Sequence, residues 1–140
     1  MVFELLVIPV IYHRIINGQY GAKMRKPIFR TIAEWKDRTH GPDRPRKGFV
    51  IFDEESEIIA SNVNIIKKGE TTAESSHIDQ EEVYVVMSGK GRIRVHDEVN
   101  EVGPGTVIYI PRHATHQSTG VSDENFVFVC VAIYFDRKPV

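Results

Sequence analysis

His77-Ile78-Asp79-Gln80-Glu81-Glu82-Val83-Tyr84-Val85-Val86-Met87-Ser88-Gly89 is the stretch that decides the fold. The apolar run Val83 to Met87, stopped by Ser88-Gly89, has the length and composition of a β-strand, and a histidine and two carboxylates stand just ahead of it. Further on, Gly103-Pro104-Gly105, the run Val107-Ile108-Tyr109-Ile110 and Pro111 lead to His116, again a turn, a short apolar strand and a histidine. Two imidazoles and a carboxylate, His77, Glu82 and His116, suit a divalent metal such as Fe, Mn, Ni, Co or Zn and leave coordination positions open for substrate.

Outward from this stretch, everything after Gly48 reads as short, evenly spaced strands. Phe49 to Phe52, Ile58 to Ile66, Val83 to Met87, Arg92 to Val95, Asn100 to Val102, Val107 to Ile110 and Asn125 to Phe135 are separated by turn signals such as Lys67-Lys68-Gly69, Gly89-Lys90-Gly91 and His96-Asp97-Glu98. The pattern predicts an all-β sandwich or barrel. Phe126 to Tyr134 is apolar on both parities, so both faces need cover. One lines the interior; the other meets a second sheet, the N-terminal segment or another subunit, and a homodimer is the economical answer.

Upstream, Ile28 to Lys36 is the one short helix candidate, with Thr31 as N-cap and Ile32 and Trp35 on one face. Asp37 to Lys47, with Gly41, two prolines and several cations, reads as a solvated loop. The apolar opening Val2 to Ile16 lacks the marks of a signal peptide: Glu4 replaces a basic start, Pro9 and His13 interrupt it, and it is too short to span a bilayer. It is either an arm packed on a partner or on the barrel, or residues ahead of a start at Met24. The expected division is an arm, helix and linker over residues 1–47, a barrel over 48–135 and a tail over 136–140.

A chain of 140 residues has room for one core. A formal net charge of -1 gives no electrostatic basis for nucleic-acid binding, and no membrane segment is expected. Cys130 is the sole cysteine, so no intramolecular disulfide forms; it reads as a small buried apolar side chain, in keeping with a reducing, cytoplasmic setting.

Strand parity constrains the trio. His77 and Glu82 lie five apart and would face opposite ways on one regular strand, so they share a cavity only if the chain bends at Ile78-Asp79-Gln80. His113 and His116 also differ in parity, so only one points inward if that segment is extended. His13, His40 and His96 read as surface histidines.

Gly69, His77, Glu82 and Gly89, followed by Gly105, Pro111 and His116, resemble the two motifs of the cupin superfamily, in particular its small single-domain, RmlC-like members. The first family motif runs glycine, five residues, His-any-His, three or four residues, glutamate, six residues, glycine; here it is matched by Gly69, His77, Glu82 and Gly89. The second runs glycine, five residues, proline, any residue, glycine, two residues, histidine, three residues, asparagine; here Gly105, Pro111 and His116 are in register. Three positions depart from the pattern: Ser75 stands where the first histidine ligand belongs, His113 where a glycine belongs, and Gly120 in place of the asparagine.

The resemblance implies a double-stranded β-helix, the jelly-roll cupin barrel, preceded by a short N-terminal helix or arm, with the metal ligands facing the barrel mouth. It implies a metal held by His77, Glu82 and His116, with Ser75, His113 or Glu74 as candidate additional ligands. Tyr84, Arg94 and Tyr109 are candidates to line the substrate site, although Arg92 and Arg94 read more simply as the solvated face of a hairpin. The implied activity is that of a metal-dependent enzyme (a dioxygenase, decarboxylase or isomerase) acting on a small polar or carboxylated molecule. Two further readings stay open, a non-catalytic small-molecule-binding or sensor module with a degenerate metal site, and a structural dimer module.

Overall fold

The structure, a computed structural model, describes residues 25–31, 34–37 and 45–136. The expectations for the opening arm, for a start at Met24, for His13 and His40 and for most of the 37–47 loop lie outside them. Among the described residues nine strands follow in order: β1 (Glu34–Asp37), β2 (Arg46–Ile51), β3 (Ile59–Ile66), β4 (Gln80–Ser88), β5 (Gly91–Val95), β6 (Glu98–Val102), β7 (Val107–Ile110), β8 (His116–Gly120) and β9 (Phe126–Tyr134). They form a six-stranded sheet, β1-β2-β3-β9-β4-β7, and a three-stranded sheet, β6-β5-β8, with antiparallel pairing throughout. The last strand enters the middle of the large sheet, between β3 and β4, which is the non-sequential order of a jelly roll. No helix among the described residues is long and apolar enough to cross a membrane.

One sequence expectation is corrected. The helix over Ile28 to Lys36 does not form: residues 28–30 have no regular structure, and Glu34–Asp37 pairs as strand β1 with β2, Glu34 opposite Phe49 and Asp37 opposite Arg46. A nine-residue window is too short for a helix to stand without tertiary support, and Ile28, Thr31 and Ile32 are β-branched. The exposed edge of β2 supplies backbone partners that a lone helical turn lacks.

Period-two alternation builds the core. On β9, Phe126, Phe128, Cys130 and Ala132 are buried, whereas Val127, Val129, Val131 and Ile133 are half-buried on the outer face. Register carries the inner row sideways, with Asn64 and Val86 flanking Phe128, and Asn62 and Tyr84 flanking Cys130. Tyr84 stacks on Phe128 at 4.5 Å between ring centroids, Phe126 lies 5.3 Å from Phe128, and Ile66, Val86 and Ile93 belong to the same buried cluster, as does Ile110 opposite Glu82. At the end of β4, Gly89 adopts φ +66°, and a Cβ there would lie 2.3 Å from the Asn125 carbonyl oxygen, so the turn admits only glycine without rearrangement. The upper half of the barrel is polar. Residues 68–75 run beside β8 through bridges Lys68–Gly120, Thr71–Thr119 and Ser75–His116, walling one side of an open cavity.

Candidate metal centre

Glu82 lies near the start of β4, and its side chain shares an inward face with Gln80 and Tyr84, two residues away on either side. The parity problem for His77 is resolved by the bend the sequence calls for: Ile78 and Asp79 leave the extended path and β4 begins at Gln80. Two backbone bonds pin that bend, the Phe135 N–H donating to the Asp79 carbonyl at 2.9 Å and the His113 N–H donating to the His77 carbonyl at 2.7 Å. His116 begins β8, exchanging both backbone hydrogen bonds with Ser75 at 2.8 and 3.0 Å.

These three elements bring His77, Glu82 and His116 together, with one potential ligand atom from each lying within 4.8 Å of the others. The His116 Nε2 is 3.3 Å from Glu82 Oε2, the His77 Nε2 is 3.6 Å from Glu82 Oε1, and the two imidazole centroids are 5.3 Å apart. Glu82 and His116 are buried and His77 is about a third exposed. The trio sits in a cavity of about 660 Å³, which Gln80, Tyr84, Ser75, Thr72, Ser118, Asn62 and Phe49 also line.

The donor set fits a divalent cation. His116 Nδ1 is 3.0 Å from the Ala114 carbonyl oxygen, and a carbonyl only accepts, so Nδ1 carries the proton. In the neutral ring Nε2 then offers a lone pair, and it faces a carboxylate oxygen 3.3 Å away. Two lone pairs at that distance repel unless a proton or a cation lies between them. Cis donors around a metal with bonds of about 2.1 Å are roughly 3.0 Å apart, close to the separations observed.

Glu82 is held as an anion. With a proton rather than a cation between His116 Nε2 and Glu82, burial pushes the carboxyl up, but the hydrogen bond and charge of the imidazolium of His116, the charge of His77 and the Tyr84 hydroxyl outweigh burial, and the net direction is below the ordinary carboxylate value. The Tyr84 hydroxyl donates to Oε2 at 3.0 Å and the Gln80 side-chain NH₂ to Oε1 at 3.0 Å; Cys130 Sγ is 3.6 Å from Oε1. Buried Cys130 is thus also a neighbour of the site. The hydrogen bonds from Gln80 and Tyr84 escape a reading of strand composition, although their i±2 spacing from Glu82 was a usable signal.

The other sequence candidates separate clearly. Ser75 lines the cavity beside His116, its register partner. His113 does not join the trio: it is exposed, at φ +66° in the turn after Pro111, and contributes only its backbone N–H. That left-handed conformation explains why glycine suits the position. Glu74 is paired with Arg94, whose guanidinium also donates to the His96 carbonyl, so both lie away from the centre. Arg94 is on the outer face of β5, since Ile93 is the inward residue, and it does not line the cavity. Tyr109 likewise is 56% exposed on the outer face, because it pairs with outward Val83. Of the three expected lining residues only Tyr84 reaches the cavity, and its hydroxyl is engaged by Glu82.

Comparison with known proteins agrees with this architecture. Over 59 residues the chain is 32% identical to a glucose-6-phosphate isomerase of Pyrococcus furiosus, a match covering 39% of this chain and 31% of that protein, so it spans about a third of the relative's length. Among solved structures, an RmlC-like cupin from Shewanella frigidimarina superposes with a TM-score of 0.63 at 12% identity, over 80% of this chain and 95% of the other. A protein described as a predicted oxalate decarboxylase from Thermotoga maritima superposes with a TM-score of 0.61 at 14% identity, over 65% and 81%. At such identities the superpositions speak to the fold alone. The family model for the cupin domain matches residues 62–132, which include the whole trio, and the chain belongs to that family.

Proposed function

We propose that this cupin is a metal-dependent enzyme acting on a small polar or carboxylated molecule, with His77, Glu82 and His116 as ligands to one divalent metal. The observation that carries the reading is the facing of His116 Nε2 and Glu82 Oε2 at 3.3 Å with the Nδ1 proton already committed to Ala114. When bound, the metal supplies a Lewis-acidic centre with open coordination positions. The chain's own residues do the rest: Tyr84 and Gln80 orient the carboxylate, the backbone of His113 fixes His77, and the cavity walls hold the substrate beside the trio. The decarboxylase and isomerase described among similar proteins fit this class. Ser75 facing the same cavity favours a second reading, a binding module with a weakened metal site. A cytoplasmic location and a homodimer belong to the same proposal; the half-buried valines of β9 and exposed Val107 and Tyr109 form an apolar outer face suited to a second copy.

Metal analysis of purified protein tests the reading, with H77A and E82A as paired variants. Stoichiometric metal in the wild type and its loss in both variants is the expected result. A metal-free wild type that still binds a small acid overturns the enzyme reading in favour of the binding module.

A further inference from the structure

The inner face of β3 carries two asparagines where a barrel core would ordinarily hold aliphatic side chains. Asn62 and Asn64 are 6% and 0% exposed. The Asn64 side-chain NH₂ donates to Asn62 Oδ1 at 2.7 Å, and Asn64 Oδ1 is enclosed without any hydrogen-bond partner, the one such side-chain atom among the described residues. An orphaned buried acceptor is destabilising and calls for an explanation. The bond to Asn64 occupies the Asn62 oxygen and fixes its amide plane, so the Asn62 NH₂, which makes no hydrogen bond within the described protein, opens on the cavity that Asn62 lines.

The surroundings of that NH₂ define what it meets. Phe49 is its cross-strand partner and Lys47 the partner of Asn64, so Lys47 is the diagonal neighbour of Asn62. The Lys47 Nζ lies 5.2 Å from the centre of the Phe49 ring, and Lys47 and Phe49 line the same cavity. An amide donor and an ammonium therefore flank one wall, while the acids Asp53 and Glu54 are exposed at the rim. Across β9, Asn62 is level with Tyr84, and Glu82 stands two residues further along β4, so two interstrand spacings and that two-residue step put the Asn62 and Glu82 backbones about 12 Å apart.

We infer that Asn62, positioned by Asn64, is a ligand-binding residue that selects molecules carrying a carboxylate on a short chain, with that carboxylate held at the β3 wall remote from the trio. This rests on the proposed reading of the cavity as a substrate site and adds to it the end of the substrate that faces away from the metal. Asn62 touches the ligand; Asn64 acts only through Asn62, and its stability cost is the consequence of that role.

The test uses glutarate, a five-carbon dicarboxylate, titrated by calorimetry and by NMR of the side-chain amides into Zn²⁺-treated full-length wild type, N62D and N64L. The near-isosteric N62D replaces the donor with an anionic oxygen; N62S serves should N62D not fold. Glutarate is expected to shift the Asn62 NH₂ resonances of the wild type. Its affinity should fall by more than about tenfold in N62D or N62S, the scale of losing a charge-assisted hydrogen bond. N64L removes the Asn64 orphan but also the donor to Asn62 Oδ1, leaving that amide free to turn in the cavity, so it should melt close to wild type yet bind glutarate more weakly, a combination that a purely structural role does not produce. Unchanged affinity in both variants, or no glutarate binding by the wild type, overturns the inference. Zinc content read on the same samples keeps the two proposals apart: absent zinc with an Asn62-dependent glutarate signal sinks the metal centre alone, and intact zinc with no such signal sinks this inference alone.

Discussion

Tyr84→Phe removes one oxygen atom from the centre and leaves the packing in place, so its effect can be worked from the geometry. The ring is stacked on Phe128 at 4.5 Å and an interplanar angle of 24°, and phenylalanine keeps that contact without opening a cavity. What is lost is the hydrogen bond from the hydroxyl to Glu82 Oε2 at 3.0 Å. A hydrogen bond to a buried charged acceptor contributes about 1.5–3 kcal/mol. Glu82 retains the Gln80 donor at 3.0 Å and the His116 ring, which places the loss near the lower end, at about 1.5–2 kcal/mol. In metal-free protein, urea denaturation should register that difference, with a melting temperature lower by several degrees. In metal-loaded protein the same hydroxyl orients a ligand, and removal of such a group weakens metal binding by about 10–100-fold, or roughly 1.4–2.8 kcal/mol. Chelator competition measures it. If Y84F melts with the wild type in EDTA and holds metal within about twofold of the wild-type affinity, Tyr84 does not support Glu82 and the reasoning about the site fails.

Three further outcomes are expected. Ser75→His places an imidazole beside His116 on the cavity wall, since the two residues are register partners with both backbone bonds made, and chelator competition should show metal held at least about tenfold more tightly; unchanged affinity would mean that side chain does not share the centre. The Glu82 carboxyl is held below the ordinary carboxylate value by its imidazole and hydroxyl partners, so its contribution is full above that ordinary value and disappears as pH falls through the lower folded one. Wild type in EDTA should therefore exceed E82Q in urea stability by a steady margin between about pH 4.5 and 5.5, where the imidazoles are charged, and by a shrinking one as pH falls below that window; a margin that grows on acidification below about pH 4.5 would contradict the assignment. Gly91→Ala puts a Cβ 2.2 Å from Cε1 of fully buried Phe126, where overpacking costs about 1–3 kcal/mol; chemical denaturation showing no loss would refute that account of the barrel floor.

The barrel and the His77, Glu82 and His116 cluster were readable in the sequence because each rests on a local signal. Val83 to Met87 and Val107 to Ile110 are apolar runs cut by glycine or proline, and the parity conflict between His77 and Glu82 correctly required the bend at Ile78-Asp79. The misses have physical causes. β8, His116-Gln117-Ser118-Thr119-Gly120, contains no aliphatic or aromatic hydrocarbon side chain, and it is a strand because β5 and residues 68–75 satisfy its backbone on either side. The edge strand β1 exists because β2 offers a pairing partner, which no window of composition reveals. Tyr109 and Tyr84 look alike in sequence; only the register of β7 on β4, Tyr109 opposite Val83, sends one ring outward and keeps the other beside Glu82.

The unread residues share a property that bears on function. Asn62, Asn64, Gln80 and Ser118 are buried polar side chains at inward positions of the kind that elsewhere in the barrel hold Phe, Val, Ile or Ala. Hydrophobic periodicity fails at them because the cavity replaces the core there, and local rules broken without a local gain mark the places where a chain is committed to something other than stability. Asn64 is the sharpest instance. Leucine has nearly its shape and would carry no unpaired oxygen into the barrel, so folding alone gives no reason to keep an amide at 0% exposure with one acceptor unmet. Its single hydrogen bond goes to Asn62, at the cavity surface. The cost of the orphan is thus tied by one 2.7 Å contact to the orientation of a donor that faces the cavity, and that link makes the β3 wall part of the site rather than part of the scaffold.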